Sequence, residues 1–249
     1  MSPLLELRDF HVRRGSTPVV HGLSLGIEAG EVLVLVGRNG AGKTSLLEGI
    51  AGLHASQGEL RRGGRDLTGT SARQRLREGI ALCAEGRSLF PEMTVRDNLL
   101  LGGYLLKRAE AERRARGFLA RFSILEKRQS QKAGSMSGGE QQLLAICRSL
   151  MSSPRALLLD EPTSGLAPRW QEDIARLVRS LVEPGDAAVI LVDDNLEFAL
   201  GLADRVVGLS GGREAFRLSR ADRPTPASIL AALLESEQRA STVNGRIHV

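Results

Sequence analysis

The chain has 249 residues, 42% of them hydrophobic and 25% charged, enough to bury a substantial core as one α/β domain or as a core with a subdomain. A formal charge of +5 would suit nucleic acid or an anionic membrane surface, but the arginines are scattered and aromatics make up only 3%, which argues against nucleic acid as a partner. No basic-then-apolar leader opens the sequence and no apolar run reaches the length of a membrane span, so any membrane role is expected from outside the bilayer.

The elements are predicted in order from periodicity and turn chemistry. Alternation at Leu5 and Leu7, then at Val19, Leu23, Leu25 and Ile27, predicts two or three antiparallel strands around the turn Arg14-Gly15-Ser16-Thr17-Pro18. The unbroken apolar run Val32-Leu33-Val34-Leu35-Val36 reads as a strand buried on both faces. It leads into Gly37-Arg38-Asn39-Gly40-Ala41-Gly42-Lys43-Thr44-Ser45, which satisfies G-x-x-x-x-G-K-[ST].

Each residue type in that loop has a reason. The glycines let successive backbone N–H groups close around phosphate oxygens, which a Cβ would obstruct. A helix starting near Lys43 aims its N-terminal N–H groups at the same anion. Lys43 suits the β- and γ-phosphates, and the Thr44 hydroxyl suits Mg²⁺. Only four of the 34 lysine and arginine residues are lysines, and Lys43 is the sole one among the first 106 residues. An arginine-rich chain uses Lys where a planar five-donor fork would not fit.

Beyond the loop, a helix is expected over 43–53, short strands over 58–69, a short arginine-rich helix over 70–78 and a buried strand over 79–84 that ends at Glu85. Residues 94–123 read as helical and charged. Strands resume at Ala156-Leu157-Leu158-Leu159-Asp160 and over 187–192, with a helix between them opened by Pro168 and closed before Pro184-Gly185. A helix over 195–203, a strand over 205–210, a hairpin around Gly211-Gly212 and a helix over 226–238 follow, and the polar tail from Arg239 is expected to be mobile. Cys83 and Cys147 lie in apolar segments and are expected to be reduced, buried thiols in a cytoplasmic protein.

Two further motifs carry chemistry. The strand Leu157-Leu158-Leu159-Asp160-Glu161 ends in two carboxylates, at the edge where α/β sheets bind ligands. Asp160 suits Mg²⁺ through water, and Glu161 suits polarising a water that attacks the γ-phosphate; the plainer reading is an acidic strand end before the turn at Pro162. Ser137-Gly138-Gly139-Glu140-Gln141 opens an apolar-periodic helix and builds a second anion-binding N-terminus.

Together these three motifs resemble the ATP-binding subunits of ABC transporters, whose signature is Leu-Ser-Gly-Gly-Gln or a close variant. The resemblance covers roughly residues 4–215. It implies a P-loop NTPase core with an N-terminal antiparallel β layer and an inserted helical subdomain, with ATP and Mg²⁺ as cofactors. The implied division is one domain over 1–238, with 1–85 and 151–238 as the α/β core, 86–150 as the helical subdomain carrying the signature, and 239–249 as the tail. It also implies that two such subunits face head to tail, Ser137, Gly138, Gly139, Glu140 and Gln141 of one covering the nucleotide held by the other's loop. The short stretches from Lys43 to Ser137 and from Ser137 to Asp160 leave no room for the long coiled coil of the DNA-repair relatives.

The stretch from Ala84 to Leu99 is similar to one of the two ATPases of branched-chain amino acid importers, a pattern shared by amide and urea importers. The resemblance implies a peripheral subunit on the cytoplasmic face of the membrane, separate permease chains, a second ATPase subunit (a heterodimer rather than a homodimer) and an extracytoplasmic solute-binding protein. The segment after Glu85 is where such proteins meet their permease. A non-transport ABC ATPase and a P-loop kinase are the alternatives; the first usually carries two cassettes or a coiled coil, and the signature argues against the second.

The departures from the pattern are informative. Glu85 stands where most of the family has glutamine, and a carboxylate still suits Mg²⁺. Arg14 replaces the adenine-stacking aromatic and offers a guanidinium plane instead; Phe10 is the nearby aromatic, with a core role equally open to it. Ala167 stands where many relatives carry an aspartate that couples the two sites. Asp194 occupies the place of the histidine that donates to the γ-phosphate, and an ionised Asp194 cannot donate. A slow site is therefore expected, unless Asn195 or a protonated Asp194 donates instead.

Overall fold

A computed structural model describes residues 3–86 and 88–244. Strands β1 (Leu5–Arg14) and β2 (Thr17–Ile27) pair antiparallel across the Gly15 turn, with Leu5 opposite Ile27 and Leu7 opposite Leu25 on the buried face. Strand β3 (Val32–Val36) is buried at every residue, as its unbroken apolar run requires. Helix α1 (Lys43–Ala51) then stops at Gly52, whose left-handed backbone carries N–H back to the last carbonyls. Strands β4 (Ala55–Arg62) and β5 (Arg65–Asp66) complete a four-stranded antiparallel sheet in the order β2-β1-β4-β5.

Helix α2 (Ala72–Arg77), capped by Ser71, leads to β6 (Ile80–Cys83). Four helices intervene before the next strand: α3 (Val95–Gly102), α4 (Arg108–Arg121), α5 (Ser123–Lys127) and α6 (Gly138–Leu150). Then come β7 (Ala156–Asp160), α7 (Pro168–Val182), β8 (Ala188–Val192), α8 (Leu196–Leu202), β9 (Arg205–Ser210), β10 (Arg213–Ser219) and α9 (Pro226–Asn244).

The second sheet has six strands in the order β10-β9-β3-β8-β7-β6. All its pairings are parallel except β9 with β10. Alternation along β3 divides the core into two layers. Leu33 and Leu35 face α1 and the antiparallel sheet, joined there by Leu46, Ile50, Leu158 and Ile190. Val32, Val34 and Val36 face the opposite layer, which holds Leu144, Ile146, Ile174 and Leu177 of α6 and α7. With α1 on one face and α7 and α8 on the other, chain direction reverses beside β3, the place where open α/β sheets bind ligands. The carboxyl ends of β3, β6, β7 and β8 therefore meet along one edge.

The segment 94–123 is largely helical, as α3, α4 and the start of α5, with a break over 103–107 that begins at Gly103, the C-cap of α3. One expectation needs correction. The expected tail from Arg239 is helical as far as Asn244, because α9 docks Ile229 and Leu233 on the core and its backbone continues from there. Residues 245–249 of that tail lie outside the described residues. Among the described residues, no helix is long and apolar enough to cross a membrane.

Cys83 and Cys147 are both free and buried. Burial pushes the Cys83 thiol up to about 11 and raises that of Cys147 as well. Because the thiolate is the nucleophile, neither cysteine should react with a maleimide in the native protein at pH 7, and both should react once it is unfolded. Stoichiometric labelling of the native chain would contradict the burial of β6 and α6.

Candidate functional site

Loop 37–42 is held from behind by the turn between β9 and β10. The Gly212 N–H donates to the Ala41 carbonyl at 3.0 Å, and the His21 N–H donates to the Gly212 carbonyl at 2.8 Å. Gly42 has φ +100, and a Cβ there would fall 2.8 Å from the Val19 carbonyl oxygen. Only glycine satisfies both conditions. Gly42 is also the N-cap of α1 and supplies no side-chain cap, so the first N–H groups of α1 remain for an anion. Buried Lys43 donates from Nζ to the Gly37 carbonyl at 2.6 Å, which curls the side chain back over the loop.

Residues expected from distant parts of the sequence converge here. A cavity of about 440 Å³ is lined by Arg14, by 38–45, and by Glu85 and Glu161. Arg14 ends β1 at the mouth, whereas Phe10 is buried in the core and is not available to a base. Glu85 lies in the turn just after β6. Glu161 follows β7 with φ +46, a left-handed backbone held by its N–H donating to the Val192 carbonyl at 2.8 Å. Such strain in a non-glycine residue persists where surrounding structure imposes it, and it clusters at functional sites.

The acidic groups are set in graded environments. Asp160 is 1% exposed, and neither carboxylate oxygen has a hydrogen-bond partner among the described residues. Burial pushes its carboxyl up to about 6; the Thr44 hydroxyl, close but not in full bonding geometry, draws it back, and the charges of Glu85 and Glu48 push it further. Glu161 is also raised, first by burial and then by the negative charges of Asp194, Glu85, Asp160 and Asp193.

Asp193 is buried but fully engaged. It accepts from the Thr163 N–H at 3.0 Å, from the Thr163 hydroxyl at 2.7 Å and from the Asn195 N–H at 2.9 Å. Asp194 is 62% exposed, with a carboxylate oxygen 4.0 Å from Lys43 Nζ. Asn195 is not a free donor: its side-chain oxygen accepts from the Phe198 N–H, capping α8, and its amide donates to Gln171 Oε1 at 3.2 Å.

The Ser137-Gly138-Gly139 turn stands apart from this cavity and lines no part of it among the described residues. Ser137 is the N-cap of α6, and its N–H donates to the Glu140 carboxylate at 2.9 Å. Glu140 is buried, with Arg128 3.4 Å away, while the Gln141 amide donates to the Ala133 carbonyl at 3.0 Å. A separate apolar groove of about 580 Å³ runs beside β6 and α3. The exposed side chains of Leu53, Phe90, Leu101 and Tyr104 all line it, as do Cys83 and Ala84 just before Glu85.

A family profile described as ABC transporter matches residues 20–164. A branched-chain amino acid transport ATP-binding protein of Pseudomonas aeruginosa, BraG, is 41% identical over 80% of this chain and 85% of its own. The chain belongs to the ABC transporter ATP-binding family. A methionine import ATP-binding protein of Rhizobium etli is 37% identical over 84% of the chain, which spans only 59% of that relative's length. A solved ATP-binding subunit of an ABC transporter superposes with TM-score 0.79 at 26% identity, over 94% of this chain and 99% of that one. As a family member, the chain binds and hydrolyses ATP.

The residues present also fit a divalent cation. Two orphaned, buried carboxylate oxygens of Asp160 beside the Thr44 hydroxyl are hard donors. Among the described residues, no group of three or more His, Cys, Asp or Glu side chains could hold a metal unaided. That suits Mg²⁺, which commonly binds through one or two side chains together with substrate phosphates.

Sequence reasoning missed the roles of Asp193 and Gln171. Asp193 had a signal, since an acid directly after a fully apolar strand must find partners. Gly42→Ala is expected to strain the loop by about 1–3 kcal/mol. Thermal denaturation should show a lowered Tm, and a fluorescent ATP analogue should show weakened binding; unchanged affinity would contradict the close approach to Val19.

Proposed function

We propose that the chain energises the import of a branched-chain or related amino acid, as one of two ATPase subunits on the cytoplasmic face of a membrane permease. The observation that carries this reading is the division of parts: Arg14, Lys43, Glu85 and Glu161 line one cavity, while Ser137 and Gly139 lie outside it. A site laid out in that way is completed by the signature turn of a second subunit. The relative named for branched-chain amino acid transport supports the choice of solute. Amide or urea import is the alternative. A solute-binding protein outside the membrane accompanies import of either kind.

In this reading the N–H groups of 37–42 and the start of α1 cradle the phosphates, and Lys43 exchanges its bond to the Gly37 carbonyl for one to a β- or γ-oxygen. Arg14 stacks its guanidinium on the adenine. Thr44, Asp160 and Glu85 would hold Mg²⁺, which would offset charge on the phosphate oxygens. Glu161 accepts a proton from the attacking water as the water oxygen bonds to the γ-phosphorus and ADP departs. Asp194 sits where a donor to the γ-phosphate would help, and its charge beside Glu161 opposes the transition state. A slow site of this kind favours pairing with a different ATPase subunit. Residues 86–150 form the helical subdomain, and the apolar groove between it and the core receives a cytoplasmic helix of the permease, burying Leu53, Phe90, Leu101 and Tyr104.

Three measurements test this reading. Proteoliposomes holding the chain with its permeases, second ATPase and binding protein should take up leucine in an ATP-dependent way; uptake of urea in its place would favour the alternative. Asp194→His should accelerate single-turnover hydrolysis in that complex by about tenfold or more, and no acceleration would remove Asp194 as the cause of a slow site. A Phe90→Glu, Tyr104→Glu double variant should bind ATP normally yet fail to co-purify with the permease, whereas retained co-purification would exclude the groove as the dock.

A further inference from the structure

Two adjacent side chains at the start of α7 connect parts of the protein that serve different nucleotides in the paired arrangement. Trp170 leans on the signature turn: a Cβ on Gly139 would fall 2.3 Å from Trp170 Cδ1 and 2.4 Å from Nε1. The indole therefore lies against the backbone of the first turn of α6 in a contact that only glycine allows. Arg169 covers the ring from another side, with its guanidinium carbon 5.0 Å from the ring centroid. The Trp170 backbone N–H donates to the Ala167 carbonyl at 2.9 Å, within the first turn of α7.

Gln171, the next residue, turns toward the chain's own phosphate site. Its amide donates to the Leu166 carbonyl at 3.2 Å, and its Oε1 accepts from the Asn195 amide at 3.2 Å. Asn195 is tied by its N–H to Asp193, and Asp193 to Thr163. Glu161, Gln171, Asp194 and Asn195 line a single pocket of about 310 Å³. A continuous series of contacts therefore runs from the residues beside the γ-phosphate position, through Gln171, to Trp170 and on to Gly139.

We propose that Trp170 and Gln171 are positioning residues that link the loop at 193–195 to the signature turn, so that occupancy of the chain's own site adjusts the turn that covers the partner's nucleotide. The proposal rests on the paired-site reading above. Its physical basis is rigidity: residue 171 is anchored to the loop, residue 170 to the signature, and the first turn of one helix carries both. A shift of the loop that moves Asn195 must move or break its bond to Gln171, and the indole cannot slide without displacing the Gly139 backbone. This path bypasses Ala167, which has no side-chain polar group with which to make such a connection.

Trp170 is the chain's only tryptophan, so its fluorescence reports the contact directly. In the isolated full-length chain, saturating ATP should change Trp170 emission. Gln171→Ala should lose that change while a fluorescent ATP analogue still binds. Emission unaltered by bound ATP, or an intact response in Gln171→Ala, overturns the link. In the complete transporter, Trp170→Ala should lower kcat by about tenfold to a hundredfold with KM for ATP little changed, and Trp170→Phe should restore most of it. Wild-type turnover in Trp170→Ala overturns the positioning role. Ser137→Arg in the complex tests the paired arrangement separately: retained turnover would overturn that reading alone, since the fluorescence response is measured in a single chain.

Discussion

The parallel pairing of β3 with β8, and of β8 with β7 and then β6, is the constraint on which the site depends. Strands apolar on both faces are stable only when helices cover both, and right-handed crossovers then keep them parallel. Parallel strands end on the same edge. Lys43, Glu85, Glu161 and Asp194 come from widely separated stretches of sequence, yet each follows the carboxyl end of one of these four strands. The loop at Gly42 adds a local condition, a left-handed backbone packed under the Val19 carbonyl, which aims the start of α1 into the cavity.

Electrostatics give this edge its character. Asp160, Glu161, Glu85, Asp193 and Asp194 gather around one buried ammonium and the positive end of α1. Burial raises the pKa values of Asp160, Glu161 and Asp193, and the neighbouring negative charges push each further. Asp193 is compensated by three donors. Asp160 is not, and its orphaned oxygens mark the place where a cation would relieve the strain. Asp194 faces solvent with a carboxylate oxygen 4.0 Å from the buried Lys43 ammonium, at the outer limit of an ion pair. It adds charge without supplying a donor.

Much of the site could be read from the residues in order. The loop of residues 37–45, the acidic strand end at Asp160 and the Ser137 turn are local patterns in which each position is dictated by what the backbone must do beside an anion. Phe10 could not be decided in the same way, because an aromatic in an alternating strand faces core or ligand according to register, and register placed it in the core. Asn195 looked like a spare donor until the structure showed its oxygen capping α8 and its amide bound to Gln171.

The sequence by itself determined the family, the doubly buried strands, the phosphate loop and the identities of the acids, because these are set by neighbours a few residues away. Only the tertiary structure decided which of them share a cavity, that the signature turn stands outside it, and that four exposed apolar side chains line one groove. It also turned Trp170 from an unassigned aromatic into the contact against Gly139. Proximity between distant segments depends on strand order and helix packing, and no spacing along the chain encodes those.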